Sequence, residues 1–176
     1  MIETTPASRL KARVQLAAIS TLSILLILAA DHEHRSFFIW NTTASVPVGL
    51  YRLSPGAPVR GDIVAVRLPR SIADFAGARG YLPHNVLLLK PLSATAGDNF
   101  CRRGSLVLIN GALRAIASVA DSRGQRLPMW RGCVTLGPDE IVVIGARRDS
   151  YDSRYFGSIT TRTMVGRAVP IWTNPQ

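Results

Sequence analysis

The chain is 176 residues long and 47% hydrophobic, with 14 glycines and 11 prolines. This length predicts one domain with a real core, and the composition excludes a disordered chain and favours short strands and turns over long helices. The formal net charge of +10 raises nucleic acid as a partner. However, the basic residues are spread along the sequence and no nucleic-acid-binding or nucleotide-binding motif occurs, so attraction to anionic lipid headgroups is the simpler account.

The first predicted element is an uncharged run, Val14–Ala30, which is just long enough to span a bilayer. Three basic residues precede it: Arg9, Lys11 and Arg13. Residues 1–13 are therefore expected to form a cytoplasmic flank, and residues 31–176 an extracytoplasmic domain. We favour an uncleaved transmembrane anchor. A cleavable signal peptide has the same flank and stays open, whereas a buried core helix fits less well because the run is apolar all round.

Histidine is rare in this chain, which has three. His32 and His34 have a His-x-His spacing, but two imidazoles without a third placed ligand are more typical of a solvated linker than of a metal site. His84 lies in a Pro-His-Asn turn. We therefore predict no metal site and no Ser-His-Asp triad.

The segment Asn41–Tyr51 places a serine in a turn of small residues just before a predicted strand. It reads Asn-Thr-Thr-Ala-Ser-Val-Pro-Val-Gly-Leu-Tyr, and its Ser45 is the candidate nucleophile. Serine, threonine, asparagine, proline and glycine are also ordinary turn residues. The segment alone therefore does not distinguish a catalytic turn from a structural one.

After this turn, apolar runs separated by turn residues predict successive strands. They are expected at about residues 49–53, 62–68, 85–92, 105–109, 113–116, 140–144 and 165–171. Asn110-Gly111 is a strong hairpin signal, and residues 71–80 form a small insert that could hold a helical turn. The predicted fold class is mainly β: a compact antiparallel β-domain with one N-terminal transmembrane helix.

Lys90 is the candidate base. It lies in the apolar run Val86–Leu92, and Lys11 is the only other lysine among 21 basic residues. Burial disfavours an ammonium and can lower its pKa by several units, whereas an arginine there would stay charged. A neutral lysine can accept the proton of a serine. The alternative, a lysine that extends to the surface from a strand end, stays open.

Cys101 and Cys133 are the only cysteines. Outside the cytoplasm they can form a disulfide, whereas in a reducing compartment they would be two small buried residues. A zinc site would need other ligands, and none is suitably spaced. The pair is therefore a disulfide candidate that depends on the predicted topology.

The last motif, at residues 149–157, reads Asp-Ser-Tyr-Asp-Ser-Arg-Tyr-Phe-Gly and follows a strand-like run. With it, the ordered motifs of the chain resemble those of type I signal peptidases. They are Ser-Val-Pro with Gly-Leu-Tyr after it (45–51), Arg-Gly-Asp-Ile-Val (60–64), a strand lysine with a later Gly-Asp (90–98) and the last motif. Their order and the short length are most similar to the TraF-type conjugative transfer peptidases of that family. The similarity covers about residues 41–172.

This resemblance implies a Ser/Lys dyad on a β-fold of the signal-peptidase type. Lys90 would take the proton of Ser45, which attacks a peptide carbonyl and forms an acyl-enzyme. The backbone N–H of Ser45 and the hydroxyl of Thr43 would hold the oxyanion. Ser150 would hydrogen-bond the Lys90 amine and orient it.

The resemblance also implies an ion pair between Asp152 and Arg154 that supports the last motif. Asp152 is expected to be structural, and its coupling to activity stays open. Two departures from the signal-peptidase pattern are visible. Pro91 stands where an arginine usually follows the lysine, and Gly-Ala-Arg at residues 145–147 replaces the usual Gly-Asp-Asn.

The resemblance further implies a bacterial inner-membrane enzyme with its catalytic domain in the periplasm, or a soluble periplasmic enzyme if the N-terminal segment is cleaved. Its partners would be components of a type IV secretion or conjugation system. Its substrate would be an exported precursor protein, expected to be the conjugative pilin subunit, with ring closure of the pilin as a further activity. No cofactor and no nucleic acid are expected. The alternative is a catalytically silent, membrane-anchored β-domain that scaffolds such an apparatus and does not need Lys90.

Overall fold

The structure is a computed structural model that describes residues 15–24, 38–54 and 56–174. The chain divides into two units, Met1–Phe37 and Phe38–Gln176. The candidate site residues and both cysteines belong to the second unit.

In the first unit, residues 15–24 are helical and form α1. Within the described stretches, no helix is both long and apolar enough to cross a membrane. The predicted segment 14–30 extends beyond the described residues. His32, His34 and the basic flank 1–13 also lie outside them.

The second unit is built mainly from β-strands. Over the described residues they are, in chain order, β1 (Phe38–Asn41), β2 (Gly49–Ser54), β3 (Ile63–Val66), β4 (Leu88–Ala94), β5 (Asn99–Arg103), β6 (Leu106–Ile109), β7 (Ala112–Ile116), β8 (Gly132–Thr135), β9 (Glu140–Val143), β10 (Ile159–Thr160) and β11 (Met164–Thr173). A seven-stranded sheet has the order β1-β2-β11-β3-β4-β9-β10, and a four-stranded sheet has the order β7-β6-β5-β8. All neighbouring strands pair antiparallel, which confirms the predicted mainly β, antiparallel fold class.

The central strands β3 and β4 read as nearly continuous apolar runs because both faces of the large sheet are covered there. Val64 and Leu92 point into one hydrophobic cluster, which also receives the helix α2 (Arg70–Ala78). Ala65 and Leu89 belong to a second cluster on the opposite face. Since successive side chains of a strand alternate between faces, these two clusters hold β4 rigidly from both sides.

The four-stranded sheet packs a third cluster around Phe100 and Val107 against the end of β9. Cys101 and Cys133 face each other across β5 and β8 and form a disulfide, which confirms the predicted pairing. The predicted hairpin is also confirmed. Asn110 and Gly111 connect β6 to β7 with φ angles of 50° and 79°, the left-handed conformations that a two-residue turn of this kind requires.

Several details of the prediction are corrected by the structure. The insert at residues 71–80 holds most of a nine-residue helix rather than a single turn: α2 ends at Ala78, and Gly80 follows it with φ 69°. Four short strands were not predicted: β1, β5, β8 and β10. None of them combines length with a clear apolar alternation; β8, for example, is exposed along its whole length. Their pairing comes from neighbours distant in sequence rather than from their own pattern.

Candidate active site

Ser45 and Lys90 line the same cleft, which has a volume of about 660 Å³. The cleft lies between the turn after β1, the approach to β4, the segment after β7 and the segment before the helix α3 (Ser153–Phe156). Thr43 and Ser150 line it as well. The structure therefore brings these four predicted side chains to one cleft.

The turn that carries Ser45 is closed by the pairing of Asn41 with Gly49 between β1 and β2. Gly49 has a φ of 148°, and a Cβ there would lie 2.1 Å from the carbonyl oxygen of Trp172. Only glycine allows this close approach of β11. The sheet thus fixes both ends of the turn and presents Ser45, half-buried, to the cleft.

Within the turn, the side chain of Asn41 makes five hydrogen bonds. Its Nδ2 donates to the carbonyls of Thr43, Val46 and Pro47 at 2.7, 3.1 and 3.0 Å, and since it has two N–H groups, one of them is shared between two carbonyls. Its Oδ1 accepts from the backbone N–H and the hydroxyl of Thr43 at 3.2 and 3.0 Å. The Thr43 hydroxyl also lies 3.1 Å from Ser45 Oγ. Asn41 is therefore the side chain that ties the turn together.

Lys90 lies in the middle of β4 with only 3% of its surface exposed. Burial lowers its pKa from 10.5 to about 8, and the charge of Arg154 acts in the same direction, while Asp152 and Asp149 oppose it. A pKa of about 8 leaves roughly a tenth of the amine neutral at pH 7. The amine forms no hydrogen bond with the described residues. A lysine in this state can act as a base near neutral pH.

Ser150 is buried beside Lys90 but does not bond to it in this structure. Its Oγ has no hydrogen-bond partner among the described residues. Both side chains pack against Gly145, where an added Cβ would lie 2.7 Å from Ser150 Oγ and 3.3 Å from Lys90 Cδ. The Ser150–Lys90 hydrogen bond that the resemblance implies is therefore absent from this structure. A buried hydroxyl without a hydrogen-bond partner is unusual in a folded protein, so this Oγ is available to bond a neighbouring polar group.

Asp152 and Arg154 form the predicted ion pair, with Arg154 Nε 2.8 Å from Asp152 Oδ1. Both are essentially inaccessible to solvent. Asp152 also accepts from the backbone N–H of Gly145 at 2.8 Å, and Arg154 Nη2 donates to the Gly145 carbonyl at 2.6 Å. The ion pair therefore fixes the position of the Gly145 backbone, against which the side chains of Ser150 and Lys90 pack. Its geometry is that of a support, and neither side chain lines the cleft.

The far wall of the cleft was not predicted from the sequence. Tyr81, Tyr151 and Tyr155 line it, with ring centroids of Tyr151 at 5.2 Å from Tyr81 and 5.9 Å from Tyr155. The Tyr81 hydroxyl donates to Asp121, which joins the segment after α2 to the segment after β7. Tyr81, Asp121 and the Tyr151/Tyr155 pair come from segments at least 30 positions apart in the chain, so no local pattern could have grouped them.

The described residues contain no group of three or more histidine, cysteine or acidic side chains that could hold a metal ion. The disulfide lies outside the cleft and contributes to the fold rather than to the site. The cleft brings hydroxyls and one amine together. A serine and a buried lysine in one cleft of an antiparallel β-domain are the side chains that a serine hydrolase with a lysine base requires.

The family is shown by comparison with known sequences. The model of the family described as "Signal peptidase, peptidase S26" matches residues 10–173. The chain belongs to this family of serine peptidases.

Individual relatives are similar over most of the chain. A plasmid transfer protein TraF of Escherichia coli is 31% identical over 145 residues, covering 76% of this chain and 81% of the relative. A second Escherichia coli plasmid transfer protein TraF is 29% identical and covers 94% of this chain and 99% of the relative. A conjugal transfer protein TraF of Agrobacterium fabrum is 32% identical over 143 residues, 76% of this chain and 81% of the relative.

Among solved structures, a signal peptidase I from Enterococcus faecalis V583 aligns with a TM-score of 0.39 at 22% identity. The alignment covers 65% of this chain and 98% of that one.

Proposed function

We propose that this chain is a membrane-bound serine endopeptidase that processes an exported precursor protein, with Ser45 as nucleophile and Lys90 as base. The observation that carries the proposal is the buried lysine of lowered pKa in the cleft that also holds the serine. Burying an amine is costly and a scaffold does not need one, whereas a serine nucleophile needs a base, and a neutral lysine can supply it. Membership of the signal peptidase family supports the same conclusion.

In the first half of the reaction, Lys90 takes the proton of Ser45 as the hydroxyl oxygen bonds to the substrate carbonyl carbon. The resulting oxyanion accepts hydrogen bonds from the backbone N–H of Ser45 and the hydroxyl of Thr43. The peptide C–N bond then breaks, and the Lys90 ammonium returns its proton to the leaving amine. The acyl group stays on Ser45 as an ester.

In the second half, Lys90 removes a proton from the incoming water as its oxygen bonds to the ester carbon. The bond from this carbon to Ser45 Oγ then breaks, and the Lys90 ammonium returns its proton to Oγ, which restores the Ser45 hydroxyl. Ser150 orients the amine in both halves. Its buried, unpaired Oγ supports this role, because a rotation of the Lys90 amine toward it would satisfy both groups. Asp152 and Arg154 support this arrangement by fixing the position of Gly145.

The substrate we propose is the pilin precursor of a conjugation system, and the partners are the type IV secretion components that assemble it. Support comes from the names of the relatives, which are plasmid transfer and conjugal transfer proteins. The domain acts outside the cytoplasm of a bacterium, at the inner membrane. The disulfide agrees with this location, because such bonds persist in oxidising compartments.

The same acyl-enzyme can close the pilin into a ring. If the N-terminal amine of the precursor is held near the ester, it replaces water as the second nucleophile. Effective molarities of about 10^5 M or more would let aminolysis outrun attack by water at roughly 55 M. Lys90 would deprotonate this amine, so no further catalytic group is needed.

The test uses the full-length chain in detergent and a pilin precursor with small residues before the cleavage point. Wild-type protein should convert the precursor to a shorter product, and Ser45→Ala should not. Intact mass then separates the two outcomes: a product one water lighter than the linear mature chain supports ring closure, and a linear product alone supports cleavage only. An unchanged precursor with the wild-type protein would favour the silent scaffold instead.

A further inference from the structure

Asn41 sets the direction of the hydrogen bonds between the two hydroxyls of the proposed active site. The orientation of its amide follows from its surroundings. Three carbonyl oxygens face Nδ2, while a backbone N–H and a hydroxyl face Oδ1. A flipped amide would put its oxygen against three oxygens, so only one orientation satisfies the contacts.

This orientation decides where the hydroxyl protons lie. Asn41 Oδ1 carries no hydrogen, so the 3.0 Å contact with Thr43 has the Thr43 hydroxyl as donor. Thr43 has one hydroxyl proton, which this bond uses. In the 3.1 Å contact between Thr43 and Ser45, the donor must therefore be Ser45. The resting enzyme holds a directed chain from Ser45 to Thr43 to Asn41.

Both protons in this chain point away from their catalytic positions. The proposed reaction needs the Ser45 proton at Lys90 and the Thr43 proton at the oxyanion. We propose that Asn41 is a positioning residue that keeps the Thr43–Ser45 pair in a resting arrangement until the substrate carbonyl arrives. The carbonyl oxygen then competes with Asn41 Oδ1 for the Thr43 proton. When Thr43 turns to the substrate, Ser45 loses its acceptor and turns to Lys90.

The burial of the groups supports this role. Asn41 is 6% exposed, so water does not replace Oδ1 as the acceptor of the Thr43 proton, whereas Thr43 itself is exposed to the cleft. The three bonds from Nδ2 hold the amide still while the hydroxyl moves. Asn41 thus supplies a fixed acceptor next to a mobile donor. The inference rests on the proposed function, in which Thr43 serves the oxyanion.

The test is a double-substitution cycle in the full-length chain. Asn41→Asp keeps an acceptor for Thr43 and makes it anionic, so the Thr43 proton is held more tightly. It also replaces the Nδ2 donor of three carbonyls by an oxygen, which loosens the turn; together the two effects should lower kcat about 100-fold. Thr43→Val removes the hydroxyl. In that background Asn41→Asp should cost only about 5-fold or less, because the path through Thr43 no longer exists. Equal losses of kcat in the wild-type and Thr43→Val backgrounds would show that Asn41 only holds the turn together, and this result would overturn the inference.

Asn110→Asp is the matched control. Asn110 also holds a turn through its side chain, accepting from the N–H of Asn99 and donating to Asp98, but it lies outside the cleft. Its substitution should lower Tm and leave kcat unchanged. A loss of kcat at Asn110 as large as that at Asn41 would show that any disturbed turn lowers activity, and it would also overturn the inference.

A measurement without turnover keeps the inference distinct from the proposed function. In the asparagine-labelled full-length chain, the side-chain amide protons of Asn41 should exchange with solvent about 100-fold more slowly than those of the exposed Asn85. Thr43→Val should shift the Asn41 amide resonance. If the wild-type protein cleaves no precursor yet shows both signatures, the proposed function fails and the resting arrangement stands. If the side-chain amide protons of Asn41 exchange as fast as those of Asn85, the inference fails, whether or not the protein cleaves a precursor.

Discussion

Replacing Lys90 by methionine should stabilise the fold at neutral pH while abolishing activity. Lys90 is 3% exposed, and burial lowers the pKa of its amine from 10.5 to about 8. At pH values between these two pKa values, the unfolded chain binds a proton that the folded chain does not. The free energy of unfolding therefore rises with pH in this window. At 1.36 kcal/mol for each pKa unit, keeping the amine charged costs the fold about 3 kcal/mol at pH 7. Methionine has a similar length and carries no charge, so it removes this cost.

The advantage of the Lys90→Met protein should shrink as pH rises, because wild-type Lys90 becomes neutral in both states. From the same two pKa values, the difference in free energy of unfolding falls from about 3 kcal/mol at pH 7 to about 1 kcal/mol at pH 9.5. Denaturant unfolding of the full-length chain in detergent, followed by tryptophan fluorescence, measures both values. Lys90→Arg is the control, since an arginine stays charged and should be destabilised at both pH values. A difference between wild type and Lys90→Met that does not change with pH would show that the amine titrates normally, and it would refute the reasoning.

Three further predictions follow from contacts around the site. In steady-state kinetics, Gly145→Ala should lower kcat/KM about 100-fold, because its Cβ would lie 2.7 Å from Ser150 Oγ and displace that hydroxyl. An unchanged kcat/KM would contradict this reasoning. Asp152→Asn should lower the free energy of unfolding by about 3 to 5 kcal/mol, since Arg154 would be left as a buried charge without a counterion; a change below 1 kcal/mol by denaturant unfolding would contradict the ion pair's supporting role. Replacing both cysteines by serine should cost about 4 kcal/mol from the loop that the 32-residue separation closes, and an unchanged Tm would argue against this account.

The sequence was sufficient for the parts of the site that rely on short local patterns. Ser45 stands in a recognisable turn, and Lys90 interrupts an apolar run, so their chemistry could be read before their positions were known. The Asn110-Gly111 hairpin was likewise predictable, because two successive left-handed residues demand such a pair. The disulfide followed from the number of cysteines and the expected compartment.

Features that depend on long-range packing could not be read in this way. Asn41 looks like any polar residue at the end of a strand, and its five hydrogen bonds exist only once the turn is folded. The aromatic wall joins Tyr81 and Tyr151 from distant segments. The Ser150–Lys90 bond was expected from the family pattern, and the sequence gives no sign that Ser150 Oγ lacks a partner here while both side chains pack on Gly145. Contacts of this kind are set by tertiary structure rather than by propensity.

The central claim is that Ser45 and Lys90 act as one catalytic unit. The most direct test is to measure precursor cleavage by full-length Ser45→Ala, Lys90→Ala and the double variant, each checked for folding by its Tm. Members of one unit are not additive, so each single substitution and the double substitution should lose about the same factor, on the order of several thousand-fold or more. Losses that multiply in the double variant, or a Lys90→Arg enzyme that keeps most of its activity, would contradict the claim.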